Sequence, residues 1–468
     1  MINRLLIVLA RSLQLFDQKM IIVMKKIIFT SILSLSVMVS VMAQEKIWTL
    51  NDCMRYAITY SPKVRQMVYT NNSYQADQVA ATASFLPSIT AQSYAQYRFG
   101  RAIDPGTNTY VHTTTFNNGY GAYMTIPVFN GGQLINQWRL ANVNRHMGRN
   151  DLQKQKDDLA VSVMDAFVNA VYYRGTLKMA GEKLQESRST LHKTQTQEEL
   201  GLKGKADVAQ IEAQVATDDY NLTHQENLYN AAMMNLKKFM NFPTDSVLTV
   251  DTLVTNQNNY PASDESVTDI FNYAVDNNPT ALQANFQWKA SRMTYLITKG
   301  KLLPTLSIEG GVTTQYYENL KDNTGVSSFK SQFKNNRGEY FYLNFTFPLF
   351  DGLSRVTALR KARNNMRIAF EKQTDTYRQL QADIEQAVLD REGFAKEAVQ
   401  MQKKVDADAF AYKVTLRKFE EGLMSPIDVQ TSANTLLTSK ADLLQKKLLY
   451  IMKSKLVDYY KGQPLINE

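Results

Sequence analysis

A chain of 468 residues has room for two or three ordinary domains, and its hydrophobic content of 44% is that of a folded protein. Only 20 Gly and 11 Pro, amid many Gln, Ala, Lys and Asn, exclude a loop-rich chain and point to long helices. The net charge of +9 is scattered, which gives no nucleic-acid-binding stripe, and a single cysteine, Cys53, excludes an internal disulfide.

Met24-Lys25-Lys26 followed by the apolar run Ile27 to Met42 has the form of an export signal, with Val41-Met42-Ala43 as a small-residue cleavage site. Residues 1–43 are therefore expected to be an N-terminal extension and a cleaved signal that begins at Met24. The apolar run is shorter than the ~20 residues of a membrane-spanning helix, and no later stretch is longer and as apolar. If the chain enters a membrane, it does so as a β-barrel. Cys53, in an Asn51-Asp52 context, reads as buried apolar filler rather than a lipid-attachment residue.

Thr49-Leu50-Asn51-Asp52 opens the first helix, with a hydroxyl to cap it and a carboxylate in its first turn. Ser266-Val267-Thr268-Asp269 repeats that start. Tyr56-Ala57-Ile58 matches Tyr273-Ala274-Val275, Ser61-Pro62 matches Asn278-Pro279, and Phe85-Leu86-Pro87 matches Leu302-Leu303-Pro304, all at one offset. Pro127-Val128-Phe129-Asn130-Gly131 then matches Pro348-Leu349-Phe350-Asp351-Gly352 at a slightly larger one, so a small insertion lies between the paired strands of the second copy. The chain is a duplicated helix-strand-strand-helix unit, with repeats at 44–241 and 264–468 joined by a Thr-, Asn-, Asp- and Pro-rich linker at 242–263.

Pro87 and Pro304 end helices where strands begin. Strands are expected at about 88–99, 120–129, 305–317 and 340–350, all rich in Tyr, Phe, Thr and Val. In the last, Phe341, Leu343, Phe345 and Phe347 alternate with Tyr340, Tyr342, Asn344 and Thr346, giving one apolar and one polar face. Asn130 and Asp351 read as N-caps of the helices that follow. Heptad spacing at Val163, Ala170, Leu177, Leu184 and Leu191, at Ala398, Val405, Tyr412 and Phe419, and at Val429, Leu436, Leu443, Tyr450 and Val457 marks coiled-coil seams. A helix from Gly132 to Glu199 would be about 100 Å long. The shorter helices, Leu50 to Ser84 and Ala206 to Asn241, stacked end to end, would lie beside it. Four strands cannot close a barrel, for which about eight is the practical minimum, so the chain must oligomerise; three copies supply twelve.

These features together resemble the TolC-like outer-membrane efflux proteins, or outer-membrane factors. The resemblance spans the mature chain and rests on the duplication, the Leu-Pro strand starts, the Pro-Val-Phe-Asn-Gly and Pro-Leu-Phe-Asp-Gly junctions, and two turns, Gly201-Leu202 to Asp207-Val208 and Gly422-Leu423 to Asp428-Val429. It implies an α+β membrane protein. As a homotrimer this forms a 12-stranded outer-membrane β-barrel in contact with lipid, continuous with a periplasmic α-helical coiled-coil barrel. It further implies an inner tip docked to a periplasmic adaptor and an inner-membrane pump of the RND or ABC type, for efflux or type I secretion. The heptads alone also allow a soluble periplasmic coiled-coil scaffold.

Two readings stand at the turns. Asp207 and Asp428 form a constricting carboxylate ring, or they cap helices, as Ser425-Pro426-Ile427-Asp428 is well built to do. Gly201, Leu202, Gly422 and Leu423 form an adaptor contact, with Lys203 and Lys205 at its margin, or the glycines are helix C-caps. The family's second turn carries a Tyr before the glycine and an Arg after it, which tie neighbouring hairpins; here Phe419 and Met424 stand there, and Thr431 replaces a further carboxylate. Apolar packing of Phe419 and Met424 is then expected to hold the pore constriction. His112, His146, His192 and His224 are dispersed, so no metal site is expected, and no catalytic constellation or cofactor motif is present.

Overall fold

The computed structural model describes residues 46–103, 108–252, 260, 266–321 and 327–466; the expected signal, and residues 253–259 and 261–263 of the linker, lie outside them. In the first repeat β1 (Ile47–Trp48) leads to α1 (Leu50–Tyr60), α2 (Pro62–Ala83), β2 (Ser88–Ile103), β3 (Tyr110–Asn130), α3 (Gln133–Glu199) and α4 (Lys205–Met240). After β4 (Thr249–Val250) the second repeat gives α5 (Val267–Asn277), α6 (Pro279–Gly300), β5 (Thr305–Asn319), α7 (Phe329–Asn335), β6 (Gly338–Thr346), α8 (Ser354–Glu420) and α9 (Pro426–Tyr460). Corresponding helices have 11 and 11, 22 and 22, 67 and 67, and 36 and 35 residues.

Local chemistry sets these boundaries. Thr49 Oγ1 accepts from the Asp52 N–H while Asp52 accepts in return from the Thr49 N–H, each at 3.2 Å. The stretch expected as one helix from Leu50 to Ser84 is two, because Pro62 offers no N–H and holds Ser61 in an extended conformation; the Ser61 hydroxyl then caps α2. Asn278-Pro279 does the same before α6. Asn130 and Asp351 are not N-caps. Two left-handed residues follow each, Gly131-Gly132 and Gly352-Leu353, and helix starts only after them. The side chains still serve the helix: Asn130 Oδ1 accepts from the Leu134 N–H at 3.2 Å and Asp351 Oδ2 from the Arg355 N–H at 3.1 Å.

β1 and β4 form a short parallel pair, while β2-β3-β5-β6 form one antiparallel sheet in that order, with β2 and β6 as open edges. β3 begins well before the expected residue 120, and β6 ends at Thr346 rather than 350. The register sorts the side chains into two faces. One carries Ile89, Tyr97, Phe116, Met124, Ile308, Val312, Phe341, Leu343 and Phe345; the other carries Gln92, Tyr94, Asn117, Ser307, Glu309, Gln315, Tyr342 and Asn344. On the apolar face Phe341, Leu343 and Phe345 are 68%, 62% and 66% exposed.

The helices pack side by side in a row. Near the sheet, α3 lies between α2 and α6, and α6 reaches α8; farther away, α3 lies between α4 and α9, and α9 reaches α8. The short helices thus stack beside the long ones. Core forms at mid-length, where Cys53, Met54 and Ala57 of α1 pack on Val163, Phe167 and Ala170 of α3 with Leu236 and Met240 of α4. In the second repeat Ile270 and Ala274 of α5 meet Leu380, Ile384 and Ala387 of α8. Burial at this equator pushes the Cys53 thiol up to about 12, which fits its role as apolar filler. Toward the far end, heptad positions Leu184, Ala398, Val405, Phe419, Val429 and Leu443 are buried, and Leu191, Tyr412 and Leu436 half-buried. Among the described residues no helix is long and apolar enough to cross a membrane.

Candidate functional site

The two helical turns lie at the end of α3 and α8 farthest from the sheet, about 100 Å away at the rise of an α-helix. Both are Schellman motifs. The Leu202 N–H donates to the Gln197 carbonyl at 2.8 Å and the Gly201 N–H to Glu198 at 2.8 Å; in the second repeat Leu423 donates to Lys418 at 2.8 Å and Gly422 to Phe419 at 3.0 Å. Gly201 and Gly422 sit at φ +74° and +79°, which accounts for glycine at both places. The leucines are not accounted for in that way. A Schellman motif commonly packs the residue after its glycine against the one five before, but here those are Gln197 and Lys418, and Leu202 and Leu423 are each 71% exposed.

Asp207 and Asp428 each bond within their own turn. The Gly204 N–H donates to Asp207 Oδ2 at 3.1 Å. The Ser425 hydroxyl and N–H donate to Asp428 Oδ2 at 2.7 and 3.0 Å, and the Asp428 N–H donates back to Ser425 Oγ at 3.3 Å. The Ser425 hydroxyl, and after it the Ser425 N–H, hold the Asp428 carboxyl below the usual carboxylate range. Asp428 is exposed and Asp207 half-buried. Pro426 at the first helical position completes the second cap.

The structure brings Phe419 and Lys203 together: Phe419 is 3% exposed, and the Lys203 ammonium stands 4.5 Å from its ring centre. Met424 is half-buried, whereas Thr431 and Lys205 are exposed. Other links between the hairpins were not visible in the sequence. Lys193 pairs with Glu420 at 2.9 Å, and the Tyr412 hydroxyl donates to Glu186. Burial, then the Glu186 carboxylate, keeps Tyr412 protonated far above the usual phenol range. Beside it runs a cleft of about 640 Å³ lined by Lys183, Glu186, Tyr412, Leu436 and Lys440.

Within each hairpin a Lys, a Ser and an Asp meet. In the first, Ser187 donates to the buried Asp218 at 2.5 Å, Gln214 donates to it at 2.8 Å, and Lys183 lies within the field of the same carboxylate. In the second, Lys404 donates to Asp408 and to Ser439 at 2.6 Å each, and Ser439 donates to Asp408. Lys183 and Lys404 hold the same place in their repeats, the one trace of this arrangement that a repeat comparison contains.

The model of the family described as "Outer membrane efflux protein" matches residues 55–241 and 271–454. A search of curated proteins returned no match. Among solved structures, the channel protein CusC superposes with a TM-score of 0.74 at 13% identity, covering 91% of this chain and 96% of that one. The outer membrane protein VceC of Vibrio cholerae gives 0.74 at 13% identity, covering 89% and 96%. The open state of the Neisseria gonorrhoeae MtrE outer membrane channel gives 0.71 at 16%, covering 88% of each. The shared architecture is the one built above, a four-stranded sheet continued by two long helical hairpins, and the chain belongs to the outer membrane efflux protein family.

Proposed function

We propose that three copies of this chain close their sheets into a twelve-stranded outer-membrane barrel and their hairpins into a periplasmic tube. The assembly is a passive exit duct for efflux or type I secretion, driven by an inner-membrane pump of the RND or ABC type through a periplasmic adaptor. One observation carries this reading: the sheet is open at both edges, and it has an exposed apolar face opposite a polar one. Lipid covers the first and a water-filled lumen the second, and closure removes both edges.

The exposed Leu202 and Leu423 are the adaptor contacts, flanked by Lys203 and Lys205, with Gly201 and Gly422 shaping the turns. Support comes from leucines that the helix ends do not use. Asp207 and Asp428 cap their helices and also form the constriction ring with Phe419, Met424 and Thr431; the Ser425 donors favour the ionised form of Asp428, so its cap is compatible with a charged ring. The constriction is held by Phe419, not through apolar contact alone but with Lys203 over its ring and Lys193 on Glu420.

Extraction of the export-competent chain from membranes tests the duct. A detergent-dependent trimer that conducts ions in a planar bilayer is expected, whereas a water-soluble monomer would overturn the reading. Photo-crosslinkers at Lys203 and Lys205 should capture an adaptor. Leu423→Ala should lose that crosslink while the trimer and its conductance persist.

A further inference from the structure

We propose that α7 and the sheet beneath it form a binding site for a phosphorylated, multiply acylated glycolipid of the outer leaflet; this rests on the barrel reading above. β6 pairs only as far as Gly338 opposite Thr313, while β5 continues to Asn319. α7 fills the place of the missing strand. Gln332 Oε1 accepts from the Tyr317 N–H at 3.0 Å and its Nε2 donates to the Tyr317 carbonyl at 2.8 Å, as a paired strand would. Asn336 donates to the Gln315 carbonyl at 2.8 Å, and the Thr314 hydroxyl to the Phe333 carbonyl at 2.7 Å.

So fastened, α7 turns its rings onto the lipid-side face. Phe333 meets Tyr120 at 5.4 Å between ring centres and Phe329 meets Tyr316 at 5.4 Å, both tyrosines belonging to the apolar face. Directly beneath runs a groove of about 520 Å³ floored by Ala91, Ala122 and Val312 and roofed by Phe333 and Arg337. Small floor residues and an aromatic roof accept an alkyl chain. The roof's rim is cationic: Lys330 and Lys334 are exposed, and Arg337, though paired with Glu339, is 63% exposed at its side chain. A chain slot roofed by Arg337, below a helix that carries the exposed Lys330 and Lys334, matches an amphiphile whose headgroup is anionic. The site lies at the sheet end remote from the helical hairpins, hence at the outward leaflet, where phosphorylated glycolipid is that amphiphile.

The test uses delipidated, detergent-purified trimer of the full exported chain, titrated by native mass spectrometry with bis-phosphorylated lipid A, its dephosphorylated form, and phosphatidylglycerol. Wild type should take up the phosphorylated glycolipid at least about tenfold more tightly than either alternative. The triple variant Lys330→Gln/Lys334→Gln/Arg337→Gln should lose that preference. Val312→Trp, which fills the slot, should lose binding with the cations intact. Both variants must keep a heat-resistant, conducting trimer, which separates this proposal from the barrel reading: absence of a trimer in wild type would defeat the latter. Equal uptake by wild type and triple variant, or equal uptake of phosphatidylglycerol, would overturn the site.

Discussion

Ser187 of α3 donates to Asp218 of α4, and in the second repeat Ser439 of α9 donates to Asp408 of α8: the same pair, spaced by 31 residues, with serine and aspartate exchanged between the helices. The sheet contains a second exchange. Tyr94 of β2 faces Gly119 of β3, and Gly311 of β5 faces Tyr340 of β6. In both cases the cross-element pair is kept and its two members are traded.

The helical exchange predicts a compensation. Ser187→Asp places a second carboxylate against the buried Asp218 and should cost about 3 kcal/mol or more. Adding Asp218→Ser, which rewrites the first hairpin in the form of the second, should recover most of that loss. Urea unfolding of the detergent-solubilised protein measures both, and no recovery in the double variant would show that the pair is not interchangeable.

In the sheet, a Cβ at Gly311 would lie 2.8 Å from Tyr340 Cζ, and one at Gly119 2.6 Å from Tyr94 Cζ. Gly311→Ala should therefore destabilise the barrel by about 1–3 kcal/mol, because the ring must leave its place over the glycine. Tyr340→Ser on the same background should restore the temperature at which the trimer dissociates on a gel.

At the tip, Gly422 has open space where a methyl group would stand but a φ of +79°. Gly422→Ala should cost about 1 kcal/mol through backbone strain alone, and Gly422→Asn clearly less. Circular dichroism melts of the trimer would rank the two.

Asp428 gives a pH dependence of known sign. Its folded pKa is depressed by Ser425, so the cap's stabilisation is present above the unfolded carboxylate pKa and is lost as pH falls through the depressed folded value. Amide-exchange protection at residues 425–429, corrected for intrinsic rates, should fall across that acid window. Asp428→Asn should show the lower protection already at neutral pH.

The links between hairpins predict a salt-dependent change in gating. Lys193 and Glu420 are 62% and 46% exposed at their side chains, so the pair is weak. Glu420→Gln should raise open probability in a planar bilayer by no more than about fivefold at low salt, and the difference should vanish near ~1 M salt.

Much of the architecture was readable because duplication doubles each signal. The Leu-Pro strand starts, the paired Gly-Leu turns and the alternation of Phe341, Leu343 and Phe345 are local, and local patterns survive in sequence. What escaped depends on contacts. α7 has seven residues, too few for a helical period to stand out, and Gln332 shows its use only beside the Tyr317 backbone. Asn130 looked like an N-cap because its side chain does serve the helix, but from beyond two left-handed residues. The Ser–Asp and Tyr–Gly pairs are invisible to repeat comparison because trading partners erases identity at both positions. Of the tip, the Asp caps and glycine turns were legible, while Lys193–Glu420 and Glu186–Tyr412 join segments far apart in the chain.

Two halves of matched length carry a standing hazard, since a helix of one half fits the groove meant for its counterpart. The traded serine and aspartate give such errors a penalty. If α8 folded against α4 in the same register, Asp408 would face Asp218 and two carboxylates would meet; if α3 folded against α9, Ser187 would face Ser439 and Lys183 would lose the Asp218 carboxylate beside it. The exchange thus makes each hairpin's own partner helix the one whose charge matches.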